Sequence, residues 1–215
     1  MEGKIFFQPF VGKDYANGGI FGKRILVLGE SHYCDAEECE DCGNLVKHQD
    51  CNDYTSRVTM GNLLYGDHTK HKWIPTFTRF EHSLIGKEAD QEMREKIWSS
   101  VIFYNYLQVA MPKPGQAGTK EQYQEGEDAF FEVLEKYCPE YVIVWSKRLW
   151  NYLPGDKEGF KAGDAIELDN LNAPTGSYTL KSGHQVKIIA VNHPCRWWAS
   201  DSCDKWHEII MEFLK

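Results

Sequence analysis

The chain has 215 residues, with 32 acidic and 24 basic side chains, a formal net charge of −8, and 42% hydrophobic and 13% aromatic content. That length and aromatic load exclude a disordered protein and predict one domain whose core needs no covalent staples. No run reaches the ~18 apolar residues of a membrane span, and MEGKIFFQPFVGKD lacks the apolar stretch of a signal peptide. A cytoplasmic chain without membrane contact is expected, in which cysteines serve as thiols or metal ligands.

The acid is unevenly spread. Asp35, Glu37, Glu38, Glu40, Asp41, Asp50 and Asp53 face a single base, Lys47, so six of the eight net negative charges fall within 35–53. The rest of the chain is nearly neutral, and net charge says little about the surface around a site.

In chain order, Ile25-Leu26-Val27-Leu28 ends at Gly29 as a strand buried on both faces. A helix is expected over 90–100, with Met93 and Ile97 one turn apart, leading into a second strand at Val101-Ile102-Phe103-Tyr104. A long helix over 120–137 carries the apolar stripe Phe130, Phe131, Val133, Leu134 and Tyr137. Pro139 separates it from a third strand at Tyr141-Val142-Ile143-Val144-Trp145. A fourth strand spans 186–191, and a last helix runs over about 202–214. The segment 177–191, with Ser182-Gly183 at its middle, reads as a hairpin adding an antiparallel edge strand. Buried strands alternating with helices predict a single α/β domain over 1–215: a three-layer α/β/α sandwich around a mainly parallel four-stranded sheet.

Ligands of such sheets sit beyond the C-terminal ends of the strands. The polar groups there are Glu30, Ser31, His32 and Tyr33, then Asn105, then Ser146 and Lys147, then Asn192 and His193. These blocks, in this order, resemble the uracil-DNA glycosylase superfamily, whose first loop reads Gly-Gln-Asp-Pro-Tyr or Gly-Glu-Ala-Pro-Gly. Gly29-Glu30-Ser31-His32-Tyr33 blends the two patterns. Asn105 matches the Asn that binds the base in many members, and 141–150 resembles the third-strand block. His193-Pro194-Cys195 matches a His-Pro-Ser loop, and 203–207 is similar to the closing helix.

The resemblance implies a glycosylase fold and a DNA-repair hydrolase cleaving the N-glycosidic bond of uracil or another modified base. Such chemistry needs a carboxylate near the developing sugar cation and a donor to the leaving base. It also needs an aromatic wall and an amide to read the base edge. Glu30, His193 and Asn105 supply carboxylate, donor and reader, and Tyr33, Phe77 or Phe80 the wall. Ser31 stands where the most active members carry an Asp, and His32 replaces the following Pro. Arg196, Trp197 and Trp198 follow Cys195 and suit a nucleic-acid contact. With Arg196, Lys147 and Arg148 form a local phosphate patch. The implied partners of a monomeric chain are nucleic acid, DNA before RNA, or a nucleobase or nucleoside.

Cys34, Cys39, Cys42 and Cys51 lie in the acidic insert at about 34–53, spaced C-x4-C-x2-C-x8-C. Four cysteines in eighteen residues fit a tetrahedral zinc site. An iron–sulfur cluster, as in some members of the resembled superfamily, and unligated thiols are the alternatives. Two other functional readings stay open. One is an esterase of the Gly-Asp-Ser-Leu type, with Ser31 as nucleophile and Asp204 and His207 as its relay. The other is a non-catalytic module that holds a base.

Overall fold

The computed structural model describes residues 4–34, 51–155, 159–195 and 200–215. Its central sheet, among these residues, has seven strands. In spatial order they are β1 (Phe10–Val11), β3 (Val101–Asn105), β2 (Ile25–Gly29), β4 (Tyr141–Trp145), β9 (Gln185–Val191), β8 (Thr175–Thr179) and β5 (Phe160–Ala162). The four inner strands β3-β2-β4-β9 are parallel and coincide with the four apolar runs. β1, β8 and β5 pair antiparallel outside them, and β6 (Ile166–Leu168) and β7 (Leu171–Ala173) form a separate hairpin.

The expected four-stranded sheet is thus corrected to seven strands. The additional strands are short or half-exposed, so they lack the continuous apolar run that marks a central parallel strand. The hairpin forms as β8 and β9, but β8 is not the edge, because β5 pairs outside it.

Alternate residues of the parallel strands feed two cores. Ile25, Val27, Val101, Phe103, Ile143, Trp145, Ile189 and Val191 pack with α1 (Gly61–Tyr65), α2 (Ile74–Ile85), α3 (Gln91–Ser99) and α6 (Ser200–Phe213). Leu26, Leu28, Ile102, Tyr104, Val142, Val144, Ile188 and Ala190 pack with α4 (Lys120–Tyr137) and α5 (Lys147–Trp150). Residues 25–28 of β2 are fully buried because a core covers each face. Truncating one such leucine to alanine removes about 2–5 kcal/mol.

The helix boundaries follow local chemistry. Thr119 and Gln122 close a reciprocal capping box at the start of α4, and Asp90 caps α3 through the amide of Met93. α2, absent from the sequence expectations, has Pro75 in its first turn and buries Ile74, Phe77, Phe80, Glu81 and Leu84. Phe77 and Phe80, candidates for a base-stacking wall, instead belong to its core face. Phe77 packs against Trp73, Trp98, Phe103 and Trp145, and Phe80 is fully buried.

Glu81 is the one acidic residue wholly inside this core among the described residues. Arg94 donates to it through Nε at 3.0 and 3.1 Å, and Trp98 Nε1 donates at 2.8 Å. Both donors lose their acceptor if the carboxylate is removed, and an uncompensated buried charge is costly. Glu81→Ala is therefore expected to lower unfolding free energy by about 3–5 kcal/mol in urea titration, and Glu81→Gln by less.

Candidate active site at the ends of the parallel strands

β2 leads to β3 on one side, whereas β4 leads to β9 on the other, so the topological switch lies between β2 and β4. A crevice beyond the carboxyl ends of these strands is the expected ligand position. Ser31 follows β2 and Trp145 closes β4, and each has a buried polar atom without a hydrogen-bond partner, Oγ and Nε1. Leaving such a group unpaired costs about 1–3 kcal/mol, so each needs a reason to persist.

The loops beyond β2 and β3 are laced together. Gly29 lies opposite Asn105 in the ladder. The pairing continues as Tyr106 N–H to Gly29 O at 3.0 Å, Leu107 N–H to Glu30 O at 2.9 Å and Met111 N–H to His32 O at 2.8 Å. Tyr33 bridges to Met111, and its hydroxyl accepts from the Gly115 amide at 3.2 Å. Gln108, unforeseen from the sequence, braces this region from beneath. Its Oε1 accepts from the amides of Phe6 and Phe7, and its Nε2 donates to the carbonyls of Asn105 and Tyr106.

Gly29 permits the site to form. A Cβ there would lie 2.1 Å from Asn105 Oδ1, so the amide of Asn105 occupies the space a side chain would fill. Asn105 Nδ2 lies 3.1 Å from Nδ1 of His32, and Nε2 of His32 lies 2.9 Å from Thr55 Oγ1. The His32 ring is buried between Phe7 and Tyr54, with centroid distances of 4.8 and 4.9 Å. Desolvation lowers its pKa to about 3, so it is neutral at physiological pH. His32, expected to meet substrate directly, therefore supports Asn105 from behind.

Glu30 turns to the opposite face of the sheet. The hydroxyl of Tyr123 on α4 donates to Oε1. Arg148 on α5 spans the carboxylate, with Nε at 2.9 and 3.1 Å and Nη2 at 2.8 Å, and its Nη1 donates to Gly115 O at 3.0 Å. Both carboxylate oxygens are engaged, and the fork geometry is specific to guanidinium. α5 is aimed at Glu30 by Ser146, which holds φ at 113° and accepts from the Arg148 amide through Oγ. A non-glycine residue there is strained by about 1–3 kcal/mol, a cost that gathers at functional sites.

His193 follows β9 and has its ring edge-on to Trp145, with centroids 6.3 Å apart. The residue is exposed as a whole, although surrounding protein partly desolvates its ring. Desolvation lowers its pKa, Glu30 opposes that by raising it, and Arg148 lowers it. Trp145, with His193 beside its ring, and Asn105, which continues the alternation of Val101 and Phe103, thus lie at the strand ends on the sheet face away from Glu30's clamp. Of the expected phosphate contacts, Arg148 is turned inward, Lys147 is exposed, and Arg196 and Trp197 lie outside the described residues.

Cys34 is buried with Phe7 and Ala110, and Cys51 packs against the same small cluster. The two described cysteines of the insert thus border one small apolar cluster, whereas Cys39 and Cys42 lie outside the described residues. Among the described residues no group of three or more His, Cys, Asp or Glu could hold a metal ion. The esterase relay is not assembled. Ser31 Oγ has no partner, Asp204 pairs with His82 at 2.8 Å, and His207 Nδ1 donates to Ser83 O at 3.1 Å.

No protein-family model matches the chain, and no curated protein matches it. No helix among the described residues is long and apolar enough to cross a membrane.

The opposed effects of Glu30 and Arg148 on His193 give a signed test. The His193 midpoint, followed by NMR against pH, should lie below 6.5. Glu30→Gln removes the charge that raises it and should move it further down. Arg148→Met removes a charge that lowers it and should move it up. Unchanged midpoints in both variants would rule out this coupling.

Proposed function

We propose that this protein is a diverged member of the uracil-DNA glycosylase superfamily, which takes a modified base of nucleic acid, DNA before RNA, into the crevice between β2 and β4. It would hydrolyse the N-glycosidic bond of that base. The observation that carries this reading is that Asn105, Trp145 and His193 lie at the strand ends on one face of the sheet, with the Asn105 amide seated against Gly29. The order of the four inner strands and the sequence blocks at their ends support it further.

In this reading Asn105 pairs with the base edge. His193, held neutral by desolvation, donates its ring N–H to the carbonyl oxygen on which charge develops as the base departs. Ser31, whose hydroxyl has no protein partner, is the group left to hold the attacking water. Glu30 does not reach that water, because Tyr123 and Arg148 occupy its carboxylate. It acts by fixing Arg148 and by its charge on His193.

Uracil-containing single-stranded and duplex oligonucleotides test this directly. Base release is expected, and His193→Ala should slow it by about 10²–10³-fold, the scale for losing one donor to developing charge. Neither base release nor DNA binding by the wild-type protein would sink the proposal. A base-holding module without cleavage is the second reading, favoured by the engagement of Glu30. Binding without release would select it.

We also assign Cys34, Cys39, Cys42 and Cys51 to a structural zinc ion, supported by Cys34 and Cys51 bordering one small apolar cluster. Zinc would supply a covalent-strength crosslink to a segment with few apolar residues. Elemental analysis should find one equivalent of zinc per chain, lost in Cys34→Ser. Iron with visible absorption would replace zinc by a cluster, and a metal-free protein would overturn the assignment.

A further inference from the structure

A second concave surface lies at the opposite end of the sheet. It is a cleft of about 590 Å³, a size that suits a small-molecule ligand. Arg24 immediately precedes β2 and Cys138 lies shortly before β4, so the cleft sits at the amino ends of these parallel strands. The length of β2, about 16 Å for its five residues, separates it from the polar loop beyond Gly29.

The walls of the cleft are tied together before any ligand arrives. The short 3₁₀ turn Tyr15–Asn17 is joined to the end of α4, because the buried Tyr15 donates its hydroxyl to Tyr137 O at 3.0 Å. Cys138 closes α4 in the left-handed region, with φ at 45°, and its carbonyl accepts from Arg24 Nε at 3.0 Å. That bond pins the guanidinium to the wall. Glu140, the acid beside it, accepts from Arg24's own backbone amide at 2.9 Å and lies 4.0 Å from Nε.

Three cations line the cleft, Lys13, Arg24 and Lys136, and no acidic side chain does. Asp14 adjoins Lys13 in sequence but is not part of the lining. Among the described residues neither lysine forms an ion pair, and the two Nη groups of Arg24 have no hydrogen-bond acceptor. Lys136 Nζ rests over the Tyr137 ring, 5.1 Å from its centroid. Like charges converging on one cavity repel, and a bound anion relieves that repulsion while stabilising the fold. One carboxylate would leave most of this charge uncompensated. A phosphate monoester carries about −1.5 to −2 charges at neutral pH and presents three acceptor oxygens. Those oxygens match the fork of one arginine and the point charges of two lysines.

We propose that the cleft at the amino ends of β2 and β4 is a second ligand site, in which Arg24, Lys13 and Lys136 hold the phosphate group of a small phosphorylated molecule. The site stands whether or not a base binds beyond Gly29.

Glycerol phosphate, titrated into ¹⁵N-labelled protein, should shift the amide signals of 12–16, 24 and 136–140 saturably and leave those of 29–33 and 105 in place. Lys13→Met with Lys136→Met removes two exposed cations and should weaken binding about tenfold. Arg24→Lys keeps the charge but loses the fork, and should also weaken it about tenfold. A wild-type melting temperature for each variant without ligand checks the fold. Scattered or unsaturable shifts, or an unchanged affinity in the lysine double variant, would overturn the proposal. Succinate, a dianion without the tetrahedral group, should bind more weakly, and equal affinity would overturn the choice of phosphate. An oligonucleotide ending in a phosphate offers the same group from another source. If it shifts these signals and glycerol phosphate does not, the cleft takes a strand end and the small-molecule site is refuted.

Discussion

The site depends on the register of β2 against β3, which ends with Gly29 beside Asn105. A shift by one residue would carry every side chain of a strand to the other face. Here the register is pinned by apolar residues packed on both sides of each strand, so no slip is cheap. Because the ladder continues past the strand ends as hydrogen bonds from 106–111 to 29–34, the first loop inherits the rigidity of the sheet. Functional side chains on such a loop need little ordering when a ligand arrives, which is the condition for effective electrostatic stabilisation.

The same alternation divides the polar groups. Asn105 and Trp145 project to the face covered by α2, α3 and α6, while Glu30 meets Tyr123 and Arg148 on the face of α4 and α5. The sheet thus separates a charged pair on one face from largely neutral groups on the other. A carboxylate and a guanidinium in fork contact leave little net charge behind, and their residual fields act on His193 in opposite directions. The strain at Ser146 belongs to this arrangement, since it turns the chain sharply from β4 into the helix that brings Arg148 to Glu30.

The four inner strands and the helices α3, α4 and α6 were legible because continuous apolar runs and clean helical stripes leave few alternatives. The outer strands were not, because a short half-exposed strand is written in pairing partners rather than in its own composition. α2 carried a usable signal that was missed: Ile74, Phe77, Glu81 and Leu84 share one face, behind a proline in the first turn. Strand alternation alone could have shown that Glu30, in phase with Leu28, points away from Asn105. That Tyr123 and Arg148 would take its carboxylate could not be read, since both lie about a hundred residues downstream and nothing local marks them.

The cysteine insert bears on the site through its ends. His32 lies two residues before Cys34, and Thr55 four residues after Cys51. The hydrogen bond between them therefore closes the loop that the insert occupies. Closing a longer loop costs little more than closing a short one, about 0.6 kcal/mol per doubling, so an insert is tolerated once its ends are anchored. The anchors here are the amide of Cys34 on Met111 O, at 3.1 Å, and the small cluster that receives Cys51. Whatever holds Cys34 near Cys51 also holds His32 near Thr55, and through them the amide of Asn105. The acidic segment that dominates the charge of the chain is thereby tied, through the contacts of Thr55 with His32 and of His32 with Asn105, to the end of β3.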